Sequence, residues 1–146
     1  MRGACHLSRV QFQRIDLLGL RARAALGLAA LDGGVDRRWL ARARADARRL
    51  ERVAIDPALG IASLVFGTAL YIEGKRPEAL ARFEDASARF DARGMRLHSA
   101  VALLARDVAA VGAARAGEGA AARRLLALGV ARPLFMLRVW APGMRK

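Results

Sequence analysis

Apolar residues recur at alternating intervals of three and four positions along most of this chain, and this spacing limits what it can fold into. The clearest rows are Ile15, Leu18, Ala22, Ala25 and Ala29 and, farther on, Leu97, Val101, Leu104, Val108 and Val111. Such intervals keep side chains on one face of an α-helix, whereas a half-buried strand needs strict alternation. The 33 alanines and the single threonine also favour helix over sheet. The sequence therefore predicts an all-α protein of about seven helices.

Glycines separate the predicted helices and keep the loops short. Gly74 and Gly94 follow the third and fourth segments, and Gly117 and Gly119 follow the fifth. Glycine commonly ends a helix because it adopts the left-handed conformation at little cost. Short loops make consecutive helices antiparallel neighbours. We therefore predict a single domain over residues 1–146 in which helical hairpins stack as an α-solenoid.

Two of the predicted helices have distinctive surfaces. The second has an apolar stripe formed by Leu40, Ala43, Ala47, Leu50 and Ala54, and Asp36 is placed to cap its N-terminus. The third, at about 57–73, is apolar on all sides, which is typical of a central buried helix. Asp56 and Pro57 predict a cap followed by proline at its first position.

The fifth helix is expected at about 95–114.

Arginines on the second helix form a candidate surface for an anionic partner. They are Arg38, Arg42, Arg48, Arg49 and Arg52. Arginine on a helix can bind phosphates, but its stem also covers apolar surface on a solvated face. The chain uses 24 arginines against 2 lysines, as high-GC coding would produce. A solvated outer face is therefore the favoured interpretation, and the net charge of +13 predicts only weak, non-specific polyanion binding.

No catalytic, cofactor-binding or metal site can be assembled from the sequence. Cys5 is the only cysteine, and His6 and His98 lie far apart without a ligand motif. Glu84 and Asp85 are adjacent, so they point in different directions on a helix. The chain has neither a nucleotide-binding glycine loop nor the His-Arg-Asp and Asp-Phe-Gly motifs of kinases. We predict a protein that is not an enzyme and binds no cofactor or metal.

Two aromatic residues near the C-terminus allow two interpretations. Phe135 and Trp140 could anchor a partner, because aromatic residues dominate interface hot spots. They could instead cap the core of the last hairpin, and this is the interpretation we favour.

The chain is expected to be cytoplasmic and to have no contact with membranes. Its longest uncharged run, from Pro57 to Ile72, has 16 residues, fewer than the roughly 20 that a spanning helix needs. Arg9, Arg14 and Asp16 interrupt the apolar residues near the N-terminus, which argues against a signal peptide.

The third and fourth helices resemble one tetratricopeptide repeat, over residues 60–93. The positions that carry the resemblance are Gly67, Gly74, Glu78, Ala79, Phe83 and Ala86. The resemblance implies that Gly67 and Ala79 are small where two helices cross, that Gly74 makes the turn, and that Phe83 fills the space towards the next hairpin. The chain departs from the pattern at Ser63, Arg76 and Asp91, where the family has a tryptophan, an aromatic and a proline.

A longer stretch resembles the C-terminal helical region of certain large bacterial serine/threonine protein kinases and related multidomain ATPase regulators. The similar segments are RARAALGLAA (21–30), ADARRLERV (45–53), EALARFEDASARFDARGMRLHSAVA (78–102) and MLRVWAPG (136–143). In that family, tetratricopeptide-like hairpins follow a kinase domain and a nucleotide-binding module. Within residues 117–146, the chain departs from the family at 117–127, where the family has a longer polar helix.

This resemblance implies a non-catalytic interaction module, the C-terminal regulatory or scaffold part of a bacterial signalling protein. Its partner would be a protein segment or a neighbouring domain bound on the concave face of the array. The alternative is a basic helical domain that binds nucleic acid or takes part in transcription. Arginines on the inner face would suit an acidic peptide, whereas a continuous outer stripe would suit a nucleic acid.

Overall fold

A computed structural model describes residues 3–144, with the side chains of 9–31 and 33–144, and this part of the chain consists of helices joined by short turns. The helices are α1 (Gly3–Ala29), α2 (Arg37–Glu51), α3 (Asp56–Ile72), α4 (Arg76–Asp91), α5 (Arg96–Val111), α6 (Ala113–Gly117), α7 (Ala120–Ala127) and α8 (Pro133–Trp140), with a 3₁₀ turn at Leu31–Gly33. No strand occurs between residues 3 and 144. The predicted all-α fold is confirmed for these residues.

Consecutive helices pack against each other, and alternate helices also meet. From α1 to α5 each helix contacts the next, and α3 also contacts α1 and α5. α6, α7 and α8 then pack on α5. The predicted stripe of α1 is buried throughout, and so is the row that the same spacing marks on α4, formed by Ala79, Phe83, Ala86 and Phe90. Both rows belong to one continuous apolar cluster. The predicted position of α3 is confirmed, because α3 lies between α1, α2, α4 and α5.

α3 and α4 approach each other closely at two glycines. A Cβ atom on Gly67 would lie 2.6 Å from Cε1 of Phe83, and one on Gly60 would lie 2.7 Å from Cε1 of Phe90. Both phenylalanines are fully buried. In each helix the two contact positions are seven residues apart. The two pairs therefore hold a single antiparallel register, and each ring fills the space left by the missing side chain.

The turn between α3 and α4 depends on Gly74. Its φ of +80° lies in the left-handed region, as predicted for a turn glycine. The N–H of Lys75 donates to the carbonyl oxygen of Leu70 at 2.9 Å. This bond is part of a Schellman motif, which satisfies carbonyl groups at the helix end.

The helix boundaries differ from the prediction at both ends of the chain. α1 begins at Gly3, before the first stripe residue. The helix predicted at about 95–114 is divided at Gly112, whose φ of +83° ends α5. Residues 3–144 therefore contain eight α-helices rather than about seven. Val111 was expected to be buried but is half exposed, because it lies at the very end of α5.

Two predicted roles next to α3 are wrong. Ala54 is exposed and lies beyond α2 with a φ of +57°, so it does not belong to the apolar stripe; this conformation costs an alanine about 1–2 kcal/mol. Asp56 does not cap α3, because Ile55 occupies the N-cap position. Asp56 instead accepts a hydrogen bond from Nε of Arg93 at 2.9 Å. The predicted cap of α2 is confirmed: Asp36 Oδ1 accepts from the backbone N–H of the second helical residue at 2.8 Å.

The end of the described chain folds back over α1 and α3. We call residues 141–144 the C-terminal strap. Met144 is buried, and a Cβ atom on Gly143 would lie 2.9 Å from side-chain atoms of both Ala30 and Ile72. The strap therefore packs against the C-terminal ends of α1 and α3, beside a cavity of about 290 Å³ that Ala30, Ile72 and Gly143 help to line.

Replacing Gly67 with alanine should destabilise the fold, although alanine is the better helix former. The added methyl group would overlap the buried ring of Phe83, and overpacking of this kind costs about 1–3 kcal/mol. Phe83→Ala should cost about 3–5 kcal/mol, because it leaves a cavity in the core. Urea unfolding followed by circular dichroism measures both losses.

Gly27→Ala is the matched control for this test. Gly27 also lies inside a helix, but its added Cβ atom would meet Pro142 at an ordinary contact distance of 3.5 Å. The free energy of unfolding of the Gly27→Ala variant should equal that of the wild type or exceed it by up to about 1 kcal/mol. Equal unfolding midpoints for Gly67→Ala and Gly27→Ala would contradict the close approach of α3 and α4.

Candidate interaction surfaces

The arginine surface predicted on α2 is exposed to solvent. All five members are exposed: Arg38, Arg42, Arg48, Arg49 and Arg52. Among the described side chains, no carboxylate lies within ion-pair distance of four of them, Arg49 being the exception. Arg52 donates from Nε to the main-chain oxygen of Arg48 at 3.4 Å. Four guanidinium groups are therefore available to an anionic partner.

Arg49 belongs to the packing between α1 and α2. Its NH1 atom lies 3.1 Å from Oδ1 of Asp46, and NH2 of Arg21 lies 3.3 Å from the same oxygen. The side chain of Asp46 is fully buried, and its Oδ2 atom has no hydrogen-bond partner among the described residues. A buried carboxylate depends strongly on its cationic partners. Arg49 therefore has a structural role that the rest of the arginine surface lacks.

Arg44, on the same helix, is also engaged. Its two terminal nitrogens donate to the two carboxylate oxygens of Glu73 at 2.9 and 2.8 Å. These hydrogen bonds lower the pKa of Glu73. The pair joins α2 to the C-terminal end of α3, so this arginine is not part of a free surface.

The residues that carry the tetratricopeptide resemblance lie within the α3–α4 hairpin. They are Gly67, Gly74, Glu78, Ala79, Phe83 and Ala86. Ala79 and Ala86 are fully buried, and Glu78 is exposed in the first turn of α4. The contact of Phe83 with Gly67 lies inside its own hairpin. Four of these positions are buried where the two helices pack, whereas Gly74 at the turn and Glu78 face solvent.

Asp85 has a partner that the sequence did not indicate. It accepts a hydrogen bond from Oγ of Ser63 on α3 and bonds from Nε of Arg89 at 3.0 and 3.1 Å. Burial by itself would raise the pKa of Asp85, but these hydrogen bonds outweigh it and lower the pKa. Ser63 therefore links α3 to α4 at the position where the repeat family has a tryptophan.

His98 lies between two aromatic rings near the face shared by α1, α3 and α5. The centre of its ring lies 5.2 Å from that of Phe90 and 4.7 Å from that of Trp140. The guanidinium carbon of Arg23 lies 4.3 Å from the centre of the Trp140 ring, at cation–π distance. Burial and the nearby Arg23 lower the pKa of His98, and Asp16 opposes them. Trp140 thus connects α8 to both α1 and α5.

The two C-terminal aromatic residues therefore behave differently. Trp140 packs on the core, as the favoured interpretation required. Phe135 is 62% exposed, so it does not cap the core. α8 has only eight residues and buries Leu137 on one side, which leaves Phe135 on the opposite side without a neighbour to cover it.

The inner face formed by α1, α3 and α5 has little free space. A cleft of about 130 Å³ opens beside Trp140, and its lining includes Phe12, Ile61 and His98. This volume can accept one apolar side chain. Farther along α1 and α3 the C-terminal strap occupies part of the groove, and a cavity of about 290 Å³ remains beside it. The face on which a partner segment was expected is thus partly filled by the chain itself.

A second apolar surface lies on the side of α1 that faces away from the core. Its members are Val10, Leu17, Leu20, Ala24 and Leu28 on α1 and Leu31 in the 3₁₀ turn that follows, and we call them the outer seam. Its leucines and valine are between 39% and 58% exposed. The seam was not predicted from the sequence, in which only the buried stripe of this helix was recognised. The signal was present, because Val10, Leu17, Ala24 and Leu31 follow each other at intervals of seven.

Comparisons with known proteins identified no similar protein. Family models, curated proteins and solved structures gave no match. The described residues contain no cluster of His, Cys, Asp and Glu that could hold a metal ion. No helix within residues 3–144 has both the length and the apolar character needed to cross a membrane. The side chains of Cys5 and His6 lie outside the described residues.

His98 should make the protein less stable at mildly acidic pH. Because its pKa is lower in the folded state than in the unfolded chain, folding favours the neutral ring. This contribution is fully present above a pH of about 6.5 and is lost as the pH falls through the folded pKa. The free energy of unfolding should therefore fall between about pH 7 and pH 5 in the wild type and stay nearly constant in His98→Gln.

Urea titrations at several pH values measure this difference. His6 is present in both proteins, so any effect of its titration on stability is the same in both. Glu73 and Asp85 have lowered pKa values, so their stabilisation is lost only at more acidic pH. An equal decline in both proteins over the stated window would show that His98 is not responsible.

Proposed function

We propose that this chain is a non-catalytic protein–protein interaction module, a tetratricopeptide-like array of helical hairpins. The observation that carries the proposal is the outer seam, where apolar side chains stay exposed along α1. Contiguous apolar surface on a protein often marks a contact site. Terminal units of hairpin arrays usually carry a polar outer face that keeps them soluble, and the outer seam has the opposite character.

The packing of the helices supports the tetratricopeptide-like part of the proposal. Gly19 lies near Ile61 on α3, and Ala30 and Ile72 meet at Gly143, so α1 and α3 run in the same direction. Such an arrangement of alternate helices, with antiparallel neighbours between them, is what stacked hairpins produce. The close contacts of α3 and α4 at glycines match the small residues that the repeat pattern requires.

We further propose that the module is the C-terminal regulatory or scaffold part of a bacterial signalling protein of the serine/threonine kinase type. The segments 21–30, 45–53, 78–102 and 136–143 support this assignment by resemblance. Sequencing of the genomic region upstream of Met1 tests it. An in-frame kinase domain would support the assignment, and an in-frame domain of unrelated type would contradict it.

Photo-crosslinking in cells of the source organism tests the interaction function. The photoreactive residue p-benzoylphenylalanine replaces Leu20 on the outer seam or, as a matched control, Ala81 on the exposed side of α4. We expect discrete protein adducts from position 20 and weaker or no adducts from position 81. Equal adducts from both positions, or none from either, would contradict the proposal.

Nucleic-acid binding is the second candidate, and the four arginines of α2 without a carboxylate partner favour it. We expect micromolar or weaker affinity for DNA or RNA at low salt, lost near physiological ionic strength and without sequence preference. Arg48→Glu with Arg52→Glu should abolish this binding and leave the fold intact, because exposed arginines add little stability. Arg49 is left unchanged, since a glutamate there would face the buried carboxylate of Asp46.

Fluorescence anisotropy at two salt concentrations measures the nucleic-acid affinity. Tight, sequence-selective binding that survives about 0.15 M salt would place nucleic-acid binding above the interaction module.

A further inference from the structure

We infer that the outer seam binds an amphipathic helix of another protein, one whose apolar stripe is flanked by aspartate and glutamate. This inference rests on the proposed function and specifies the chemistry of the partner. Three features of the surface support it: the spacing of the seam, the hollow at its end and the charge along its edge.

The spacing of the outer seam fits a second helix. Val10, Leu17 and Ala24 follow at intervals of seven residues on α1, and residues seven apart lie almost in line on an α-helix. Leu31 continues the interval in the 3₁₀ turn that follows α1. Leu20 and Leu28 fall beside this line. A row of this kind is the contact surface of paired helices, in which side chains of one helix enter the spaces of the other.

The seam ends in a hollow that can receive a large side chain. The hollow has a volume of about 660 Å³ and lies at the turn between α1 and α2. Leu28, Leu31, Val35 and Trp39 form its apolar walls, and Trp39 is 42% exposed. Buried aromatic residues at interfaces contribute more to affinity than most other contacts. The hollow would therefore anchor one end of the partner helix.

The edge of the seam is positively charged. Arg14 follows Val10 on α1 by four residues, which sets it beside the seam, and Arg37 and Arg38 line the hollow. Arg21 is not counted, because it is paired with Asp46. Asp36 also lines the hollow, but its carboxylate accepts from backbone N–H groups of α2. Asp16 lies elsewhere, because it lines the cleft next to Trp140. Carboxylates on the flanks of the partner helix would meet these arginines, and such charge pairs select partner and orientation.

A second copy of this chain is a poorer occupant than an acidic helix. Each copy carries a formal net charge of +13. Two seams packed face to face would bring the same arginines together, and like charges along a helix pair oppose association. The charge of the surface therefore favours a partner of opposite sign.

Two synthetic peptides test the inference. Both are helical, about three heptads long, with leucine at every a and d position. One has glutamate and the other lysine at every e and g position, so neither pairs with itself. Fluorescence anisotropy with the whole chain should show binding of the glutamate peptide and at least about tenfold weaker binding of the lysine peptide.

Variants of the chain locate the contact. Leu17→Gln with Leu20→Gln should weaken the binding of the glutamate peptide by about tenfold or more. Thermal unfolding should show an intact fold, because both leucines are more than half exposed. Leu126→Gln is the control, since Leu126 is a leucine of similar exposure on α7. Arg14→Gln with Arg38→Gln should reduce the preference for glutamate over lysine.

Three results with the peptides would overturn the inference. One is equal binding of both peptides, another is no binding of either peptide, and the third is binding that Leu17→Gln with Leu20→Gln leaves unchanged. A dimer in light scattering that Leu17→Gln with Leu20→Gln dissociates would identify a second copy as the occupant and also overturn it. If the peptides fail while crosslinks from position 20 persist, the interaction function stands and only the acidic chemistry is wrong.

Discussion

The arrangement of this protein depends on how closely α3 and α4 can approach. Gly60 and Gly67 leave room for the rings of Phe90 and Phe83, and both rings are fully buried. Because each pair is seven residues from the other in both helices, a shift of register would break both contacts together. α3 also contacts α1, α2 and α5, so the position fixed against α4 determines where the remaining helices can pack.

This packing divides the surface into two faces of different character. On the inner face, Trp140 and the C-terminal strap cover much of the groove between α1, α3 and α5. On the outer face, the far side of α1 keeps an exposed apolar row and has arginines beside it. A partner on the inner face would meet Trp140 and the strap, whereas the outer seam is exposed along α1.

Much of the helical framework could be predicted from the sequence because the signals are local. The periodic stripes of α1 and α4 and the turn at Gly74 follow from helix geometry and from glycine's backbone freedom. Gly112 was harder to interpret, because a glycine inside a helical pattern can be tolerated or can end the helix. Ala54 continues the apolar period of α2 although the helix has already ended, and no glycine or proline at this point of the sequence marks the end.

The candidate surfaces were less predictable because they depend on contacts between distant residues. The ion pair of Arg49 with Asp46 could be read from a spacing of three, but that of Arg44 with Glu73 joins residues 29 positions apart. The strap gave no local signal either, since its burial comes from α1 and α3. The outer seam could have been recognised from its spacing. However, α1 is apolar on two sides, and the sequence pattern does not show which of the two apolar rows is buried.

The most direct test of this account is a measurement of proton–proton proximity between the glycines of α3 and the phenylalanine rings of α4 by nuclear magnetic resonance. With glycine and phenylalanine isotopically labelled, the account predicts nuclear Overhauser effects from the α-protons of Gly67 to the ring of Phe83 and from those of Gly60 to the ring of Phe90. Cross-peaks in the opposite pairing, or no cross-peaks between these glycines and either ring, would contradict the register on which the whole arrangement depends.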